Sequence, residues 1–454
     1  MSNHTNPKTG VHIPTILMPT TTVDLTKWSV VACDQYTSQE EYWDKVEETV
    51  GSAYSTFRLT LPEVYLEKTE TEDRIKKING SMKEYLKEGV LVPLVSGMVY
   101  VDRKTSHVES RKGLILAVDL EKYDYTKGSQ TLIRATEGTV LERIPPRVKI
   151  RENAVIESPH IMLLIDDPDR TVIEPLAANA YKLEKLYDFE LMMNGGHIQG
   201  YKVESTDAVE GVLNALEKLA KPEVFKNKYG VGDDKGVLLF AVGDGNHSLA
   251  SAKAHWVNVK ETLSESEQES HPARFALVEV VNVHDSGITF EPIHRVVFNI
   301  DTRAFLNQMV DFFNKMNCQA AFKVFDSEKA MKSEVIRLKS GGAAHVIPFV
   351  SKDTYGVFSV NCPKLNLEVG TLQTFIDEYV KENKDAKVDY IHGDDVVVSL
   401  GSKEGNIGFF LPAMDKHDLF KTVILDGSLP RKTFSMGEAE EKRFYLECRK
   451  IVKG

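Results

Sequence analysis

The stretch "GVLLFAVGDGNHSLASAKAHW", residues Gly236–Trp256, decides the fold class that we expect for this chain. Its first half is an apolar run of strand length, and the glycine-containing turn Gly243–Gly245 follows. Leu249, Ala252 and Trp256 then recur at helical spacing. The stretch therefore predicts a strand, a tight turn and a helix, the alternation that is typical of α/β proteins.

The turn in this stretch has two interpretations. A helix that begins at a glycine-rich turn presents unpaired N–H groups and the positive end of its dipole, and both favour a bound anion. On that interpretation, the phosphate-binding or nucleotide-binding residues of the turn are Gly243, Asp244, Gly245, Asn246, His247 and Ser248. The spacing matches neither the P-loop nor the dinucleotide fingerprint, so the alternative is a structural turn capped by Asp244 or Asn246.

Two carboxylates elsewhere are candidates for catalysis. "WSVVACDQY" predicts a buried strand ending at Ala32 and Cys33, which places Asp34 where α/β proteins carry functional residues. A turn or helix-cap role is the alternative for Asp34. Glu137 lies in the polar stretch "RATEGTVLER", where surface ion pairs are the alternative to a role in the site.

Arg295 and two acidic clusters are further candidates. "FEPIHRVVF" embeds His294 and Arg295 in a strand, and a buried arginine needs compensation, either by an internal salt bridge or by a bound phosphate or carboxylate. Two clusters without EF-hand spacing could bind a divalent cation, although solvated turns are the simpler account. These clusters are "DDPD" (Asp166, Asp167 and Asp169) and "HGDD" (His392, Asp394 and Asp395).

Composition excludes several classes of protein. The 454 residues carry a formal net charge of −11, which argues against a general nucleic-acid binder. No apolar run approaches the roughly 20 residues of a membrane span, and the N-terminus has no signal-peptide pattern. Four separated cysteines form no CxxC pair, which favours reduced thiols and a cytoplasmic location. We therefore expect a small anionic ligand or nucleotide as partner, no membrane and no nucleic acid, with oligomerisation open.

Patterns along the chain predict its organisation. Ser38 with Glu41 predicts a capping box, "HIMLLIDD" a buried strand, and residues 207–220 a helix. A change in composition near residue 300 predicts three parts. These are a main α/β domain over residues 1–299, a small α/β domain over 300–385, and a C-terminal segment over 386–454 that packs back onto the main domain.

Several of these segments together resemble one family. "GDGNHSLASA" is similar to the "DGHHR" segment of the bacterial domain-of-unknown-function 1015 family, and "LVEVVNVHDSGITFEPIHRVVF" is similar to its His-Arg strand. "IRATEGTVLER" resembles its HExT-like block, with Ala135 in place of the histidine and Glu137 and Thr139 retained. The "DGHHR" loop in turn resembles the phosphate-binding loop of the ParB/sulfiredoxin superfamily, which includes free-serine kinases.

The resemblance implies a mixed α/β fold with a ParB/sulfiredoxin-like core and a nucleotide-dependent phosphotransferase acting on a small hydroxyl metabolite such as free serine. Asp34 or Glu137 would orient or deprotonate the acceptor hydroxyl, and His247 would donate to a phosphate oxygen or transfer a proton. Mg²⁺ would accompany ATP or ADP, and Arg295 would add a phosphate contact. Ser248 stands where the family has arginine, which favours the alternative of a non-catalytic binding or regulatory protein. A metal-dependent hydrolase using the acidic clusters is the third hypothesis.

Overall fold

The computed structural model describes residues 5–37, 39–66, 68–342, 345–352 and 354–453. They form two compact units, which we call unit 1 (Met1–Thr289 and Met436–Gly454) and unit 2 (Phe290–Ser435). Helices and strands occur in both units, so the expected mixed α/β class is confirmed. Among the described residues, no helix is long and apolar enough to cross a membrane.

Strands are numbered in chain order. The first thirteen lie in unit 1: β1 Val11–His12, β2 Thr15–Pro19, β3 Leu91–Ser96, β4 Met98–Lys104, β5 Arg111–Asp119, β6 Tyr123–Asp124, β7 Ile133–Ala135, β8 Ile156–Glu157, β9 Met162–Ile165, β10 Lys185–Leu191, β11 Gly196–Val203, β12 Phe240–Asp244 and β13 Phe275–Asn282. Those that follow are β14 Phe290–Pro292, β15 His294–Phe298, β16 Gln319–Phe325, β17 His345–Ser351, β18 Thr354–Asn361, β19 Lys387–Ile391, β20 Ile407–Phe409, β21 Phe434–Met436 and β22 Arg449–Lys450.

Helices are numbered in the same way. Those of unit 1 are α1 Leu25–Trp28, α2 Glu40–Val50, α3 Thr71–Lys87, α4 Ile144–Glu152, α5 Glu174–Ala178, α6 Thr206–Leu219, α7 Pro222–Tyr229, α8 Asn246–Lys260 and α9 Glu265–Ser270. Those of unit 2 are α10 Thr302–Lys315, α11 Glu328–Ser340, α12 Glu368–Glu382, α13 Asp394–Gly401 and α14 Asp418–Asp426. The predicted helix over 207–220 corresponds to α6, whereas Ser38 of the predicted capping box lies outside the described residues.

Unit 1 is built on a ten-stranded mixed sheet in the order β10-β11-β4-β5-β13-β9-β12-β7-β6, with β1 also paired to β5. Successive side chains point to opposite faces of a strand, and both faces of this sheet are buried. On β5, Ile115 packs into one apolar cluster with α2 and α3, while Leu114 and Leu116 pack into another with α6 and α8. The predicted strand in "HIMLLIDD" is β9, at the centre of this sheet.

The strand predicted before Asp34 is wrong. Val30, Val31 and Ala32 are buried as expected, but the segment makes only an isolated bridge between Val31 and Phe444. Its backbone bonds go to the C-terminal tail, with Ala32 N–H donating to the Arg443 carbonyl at 2.9 Å. The apolar pattern correctly predicted that these side chains are buried. A regular strand also needs a neighbouring strand with which its backbone pairs.

Unit 2 has its own sheet, in the order β16-β18-β17-β20-β15-β19, with an apolar core against α10 and α12. The expected boundary at 299 falls ten residues late, since unit 2 begins at Phe290. Residues 386–435 belong to unit 2 and only 436–454 to unit 1. The physical reason is pairing: β15 lies between β19 and β20, so residues on both sides of the expected boundaries share one sheet.

Candidate functional site

The glycine-rich turn joins β12 to α8 in unit 1, as the sequence predicted. Gly245 is the N-cap residue, at a left-handed φ of 82°, and no side chain caps the helix. The expected cap by Asp244 or Asn246 is therefore wrong, because both side chains have other partners. Asp244 Oδ1 accepts from Gly245 N–H at 2.9 Å, and Asn246 Oδ1 accepts from Thr136 N–H at 3.3 Å.

The two glycines of the turn are required by the fold itself. A Cβ on Gly243 would lie 2.9 Å from Leu164 Cγ, so a side chain there would collide with the adjacent strand β9. A Cβ on Gly245 would lie 3.1 Å from Ile161 Cα, and its positive φ disfavours other residues in any case. Close packing and turn geometry thus account for these glycines. The N–H groups of the first turn of α8 still lie outside its internal hydrogen-bond ladder.

The loop that carries Glu137 lies against this turn. Asn246 accepts from Thr136 as described, and Val140 N–H donates to His247 Nε2 at 3.3 Å. Glu137 is a partly exposed residue between these two contacts. The structure therefore brings the Glu137 loop and the turn together, although more than 100 residues separate them in the chain.

His247 is held as a neutral ring. Burial, together with the positive charges of Arg147 and Arg143, lowers its pKa to about 4. Because Nε2 accepts from the Val140 amide, the ring proton belongs on Nδ1, which leaves His247 a hydrogen-bond donor on that side. A donor role toward a phosphate oxygen therefore fits His247 better than proton transfer near neutral pH.

Asp34 approaches the same turn through a histidine. His160 Nε2 lies 2.8 Å from Ser248 Oγ and 3.9 Å from Asp34 Oδ2. Burial by itself would raise the pKa of the Asp34 carboxyl, but His160, the Gln35 amide and Lys442 together lower it. Asp34 is therefore a carboxylate near neutral pH, suited to orienting a hydroxyl group.

Two ion pairs frame this cluster. Lys442 Nζ lies 3.3 Å from Asp244 Oδ2, and Arg147 donates to Glu63 Oε1. Burial raises the pKa of Glu63, Arg147 opposes that effect, and the nearby Asp34 charge adds to it. Lys442 thus brings a cation from the C-terminal tail to the turn.

Arg295, the remaining candidate for a phosphate contact, lies in the other unit of the chain. It lies in unit 2 on β15, fully buried, and its guanidinium donates to Gln373 Oε1 at 2.8 Å and to the Ile293 carbonyl at 2.6 Å. The guanidinium also lies 4.6 Å from the centre of the Tyr390 ring. Neutral oxygens and an aromatic face therefore stabilise this cation within its own unit, and the site is built from residues of unit 1.

The acidic clusters serve structural contacts. Asp166 accepts from His284 Nε2 at 2.6 Å and pairs with Lys228 at 2.8 Å, while Asp167 Oδ2 accepts from two backbone amides at 2.6 and 2.9 Å. In unit 2, Asp394 lies 3.0 Å from His294 Nε2. Across the part of the chain that the structure describes, no three His, Cys, Asp or Glu side chains are grouped to hold a metal.

Asp34 and Asp244 are the carboxylates of this cluster to consider as magnesium ligands. Both oxygens of Asp244 have partners, Gly245 N–H and Lys442, whereas among the described residues Asp34 Oδ2 has only the 3.9 Å contact with His160. Mg²⁺ is commonly bound by one or two carboxylates together with substrate phosphates. Asp34 is therefore the carboxylate of this cluster that would hold such an ion.

Sequence reasoning missed several residues of the cluster. His160, Lys442, Tyr445 and Glu63 come from three distant parts of the chain, and none belongs to a recognisable motif. His160 precedes β9, and this position at the start of a central strand is the local feature that could have indicated a role in the site. Tyr445, whose hydroxyl oxygen lies 2.8 Å from His160 Nδ1, and Lys442 both lie in the C-terminal tail, and both are buried.

The chain belongs to the family described as "protein of unknown function (DUF1015)", whose sequence pattern matches residues 17–379. Among curated proteins, none matches. Similar solved structures include a free serine kinase in complex with AMP, at 12% identity and a TM-score of 0.36, covering 74% of this chain and 92% of that one.

Two further solved structures are similar at the same low level. A conserved hypothetical protein from Pyrococcus furiosus has 12% identity and a TM-score of 0.34, and the match covers 73% of this chain and 90% of that one. SbnI from Staphylococcus aureus, with a C-terminal truncation, has 8% identity and a TM-score of 0.34, with 71% and 82% covered.

Proposed function

We propose that unit 1 is a nucleotide-dependent phosphotransferase that acts on a small hydroxyl metabolite, with free serine as the first acceptor to test. The observation that carries the proposal is the convergence of Asp34, the Glu137 loop and the β12–α8 turn on one site. Phosphoryl transfer depends mainly on positioning and on charge stabilisation, and these groups supply both. A ParB/sulfiredoxin-like core for unit 1 is part of the same proposal.

The proposed phosphate contacts come from the turn. The first N–H groups of α8 and the Nδ1–H of His247 are the donors that we assign to an anion at the helix N-terminus. Thr139 Oγ1, one residue from the Val140–His247 contact, is buried, and the described residues provide no hydrogen-bond partner for it. A buried hydroxyl beside a helix N-terminus supports a ligand at this place, because leaving it unpaired is costly.

The acceptor hydroxyl is assigned to the carboxylate side. Asp34 is ionised near neutral pH and orients the hydroxyl, while Glu137 is the second carboxylate that the structure brings near the turn. Mg²⁺ with ATP or ADP supplies charge neutralisation on the phosphates. Lys442, held by Asp244, adds a positive charge from the protein.

The test is product formation. Purified protein with ATP or ADP, Mg²⁺ and serine should yield phosphoserine, and Asp34→Asn and His247→Ala should reduce the rate at least about a hundredfold, the size of a lost general-base or positioning group. Asp166→Asn is the matched control, because that carboxylate lies in the structural cluster with Lys228 and His284. An unchanged rate in Asp34→Asn would exclude the assigned role.

A binding protein without turnover is the second candidate. The low pKa of His247 and the serine at 248 favour it, because both weaken the groups that would act on a transferring phosphoryl group. Nucleotide at a hundred times its Kd should stabilise unit 1 by about 2.7 kcal/mol in either case. Stabilisation without phosphorylated product from serine or from other small hydroxyl metabolites selects the binding protein, and no stabilisation at millimolar ATP, ADP or AMP excludes both.

A further inference from the structure

A chain of hydrogen bonds runs from the C-terminal tail to the turn. Cys33 N–H donates to Tyr445 Oη at 3.2 Å, Tyr445 Oη lies 2.8 Å from His160 Nδ1, and His160 Nε2 lies 2.8 Å from Ser248 Oγ. Ser248 is the third residue of α8. We propose that Tyr445 and His160 form a positioning relay that fixes the Ser248 hydroxyl as a donor toward an anionic ligand at the turn.

The relay requires one particular arrangement of protons. In the proposed relay the Tyr445 oxygen accepts from Cys33 N–H, and the Tyr445 hydroxyl donates to His160 Nδ1 at 2.8 Å. In the neutral ring of His160 the proton is then on Nε2, and Nε2–H donates to Ser248 Oγ at 2.8 Å. In this arrangement Ser248 accepts from His160, and its own hydrogen is the one that the relay presents to the ligand.

The relay is held by rigid parts of unit 1. Tyr445 is buried, its N–H donates to the Val30 carbonyl at 2.8 Å, and its carbonyl accepts from Ser29 Oγ at 2.7 Å. The rings of His160 and Tyr445 meet edge to face at 5.3 Å. A side chain whose partners are fixed in this way loses little further freedom when it binds a ligand, so the hydroxyl is pre-organised.

The Asp34 carboxylate favours the same tautomer of His160. Its Oδ2 lies 3.9 Å from His160 Nε2, so the Nε2–H tautomer is also the one that faces the carboxylate. A serine hydroxyl that accepts from a histidine and donates to a phosphate provides one neutral contact where an arginine would provide two charged ones. This inference rests on the proposed function for the identity of the ligand, whereas the proton arrangement can be measured without any ligand.

The first measurement is the tautomer of His160 in ligand-free protein. Nitrogen NMR with isotope-labelled histidine, assigned with His160→Gln, should show the proton on Nε2 in the native chain. In Tyr445→Phe the donor to Nδ1 is lost, and the signal should shift toward the Nδ1–H form. A native ring protonated on Nδ1, or a signal unchanged in Tyr445→Phe, overturns the relay.

The second measurement is ADP affinity by calorimetry. Ser248→Ala and Tyr445→Phe should each weaken ADP binding at least about tenfold, the effect of one hydrogen bond to a charged group. The double variant should be no weaker than Ser248→Ala, because both changes remove one contact. Ser251→Ala is the matched control, since Ser251 Oγ donates to the His247 carbonyl at 2.7 Å outside the relay, and it should keep its affinity.

The two measurements separate the two proposals. If native protein binds no ADP but His160 shows the Nε2–H tautomer with the expected shift, the proposed function fails and the proton arrangement stands. If ADP binds and Ser248→Ala matches the native affinity, the donor role of Ser248 is overturned while nucleotide binding stands.

Discussion

Replacing Arg443 should destabilise unit 1 more than any exposed charge can. Arg443 is 1% exposed and lies between two carboxylates, Glu279 at 2% and Glu447 at 0% exposure. Its Nη1 lies 3.2 Å from Glu279 Oε2, and its Nη2 donates to Glu447. Arg443→Met keeps much of the volume of the side chain and removes the cation, so both carboxylates remain buried without their shared partner.

The expected loss follows from that burial. Breaking a buried ion pair by removing one partner costs about 3–5 kcal/mol, because the remaining charge is uncompensated. Total stabilities of about 5–15 kcal/mol make this a large fraction of the free energy of unfolding. Arg58 pairs with Glu47 at 2.8 Å with side chains 33% and 54% exposed, so Arg58→Met should cost about 1 kcal/mol or less.

Tryptophan fluorescence during urea unfolding is the assay. The three tryptophans of the chain, Trp28, Trp43 and Trp256, all lie in unit 1 and are buried, so their signal reports that unit. A loss below about 1 kcal/mol in Arg443→Met, or a loss equal to that of Arg58→Met, would refute the reasoning that this buried cation stabilises the fold.

Two further predictions concern α8 and its turn. His247 and His255 each have a pKa lowered to about 4 by burial, followed by nearby arginines, so the stability they contribute is present above pH 6.5 and is lost as the pH falls toward 4. Unfolding curves between pH 7 and 4 should show a smaller decline in His247→Gln and His255→Gln, and an identical decline would contradict the assignment. Gly245→Ala should lower the free energy of unfolding by about 1–2 kcal/mol, because φ at Gly245 is 82°. Gly211→Ala, inside α6 with nothing within 4 Å of the added Cβ, should raise it by about 0.5–1 kcal/mol. Equal effects of the two substitutions would contradict the role of the positive φ.

The local pattern of apolar residues predicted β9, β12, α6 and α8. The two strands follow from short apolar runs, and the two helices from apolar residues at helical spacing. At Val30–Ala32 the apolar pattern correctly predicted that the side chains are buried, but the strand that it also predicted is wrong. The partner of that segment is the tail around Phe444, at the other end of the chain. A pattern of apolar residues reports burial, but it does not report which backbone lies alongside.

The domain boundaries show a similar limit. The change in composition near residue 300 indicated a second unit. The sheet of unit 2 determines where that unit begins and ends. β15 pairs with both β19 and β20, and this pairing keeps residues beyond 385 in unit 2. Pairing between distant strands leaves no local mark in a sequence.

By itself, the sequence determined the mixed α/β class, the membership of the family, and the position of the turn between a buried strand and a helix. Only the tertiary structure decided the composition of the candidate site. It brought His160, Lys442 and Tyr445 to the turn and satisfied Arg295 within unit 2. The reason is physical: secondary structure follows from residues a few positions apart, whereas a site depends on long-range contacts that fix which polar groups meet.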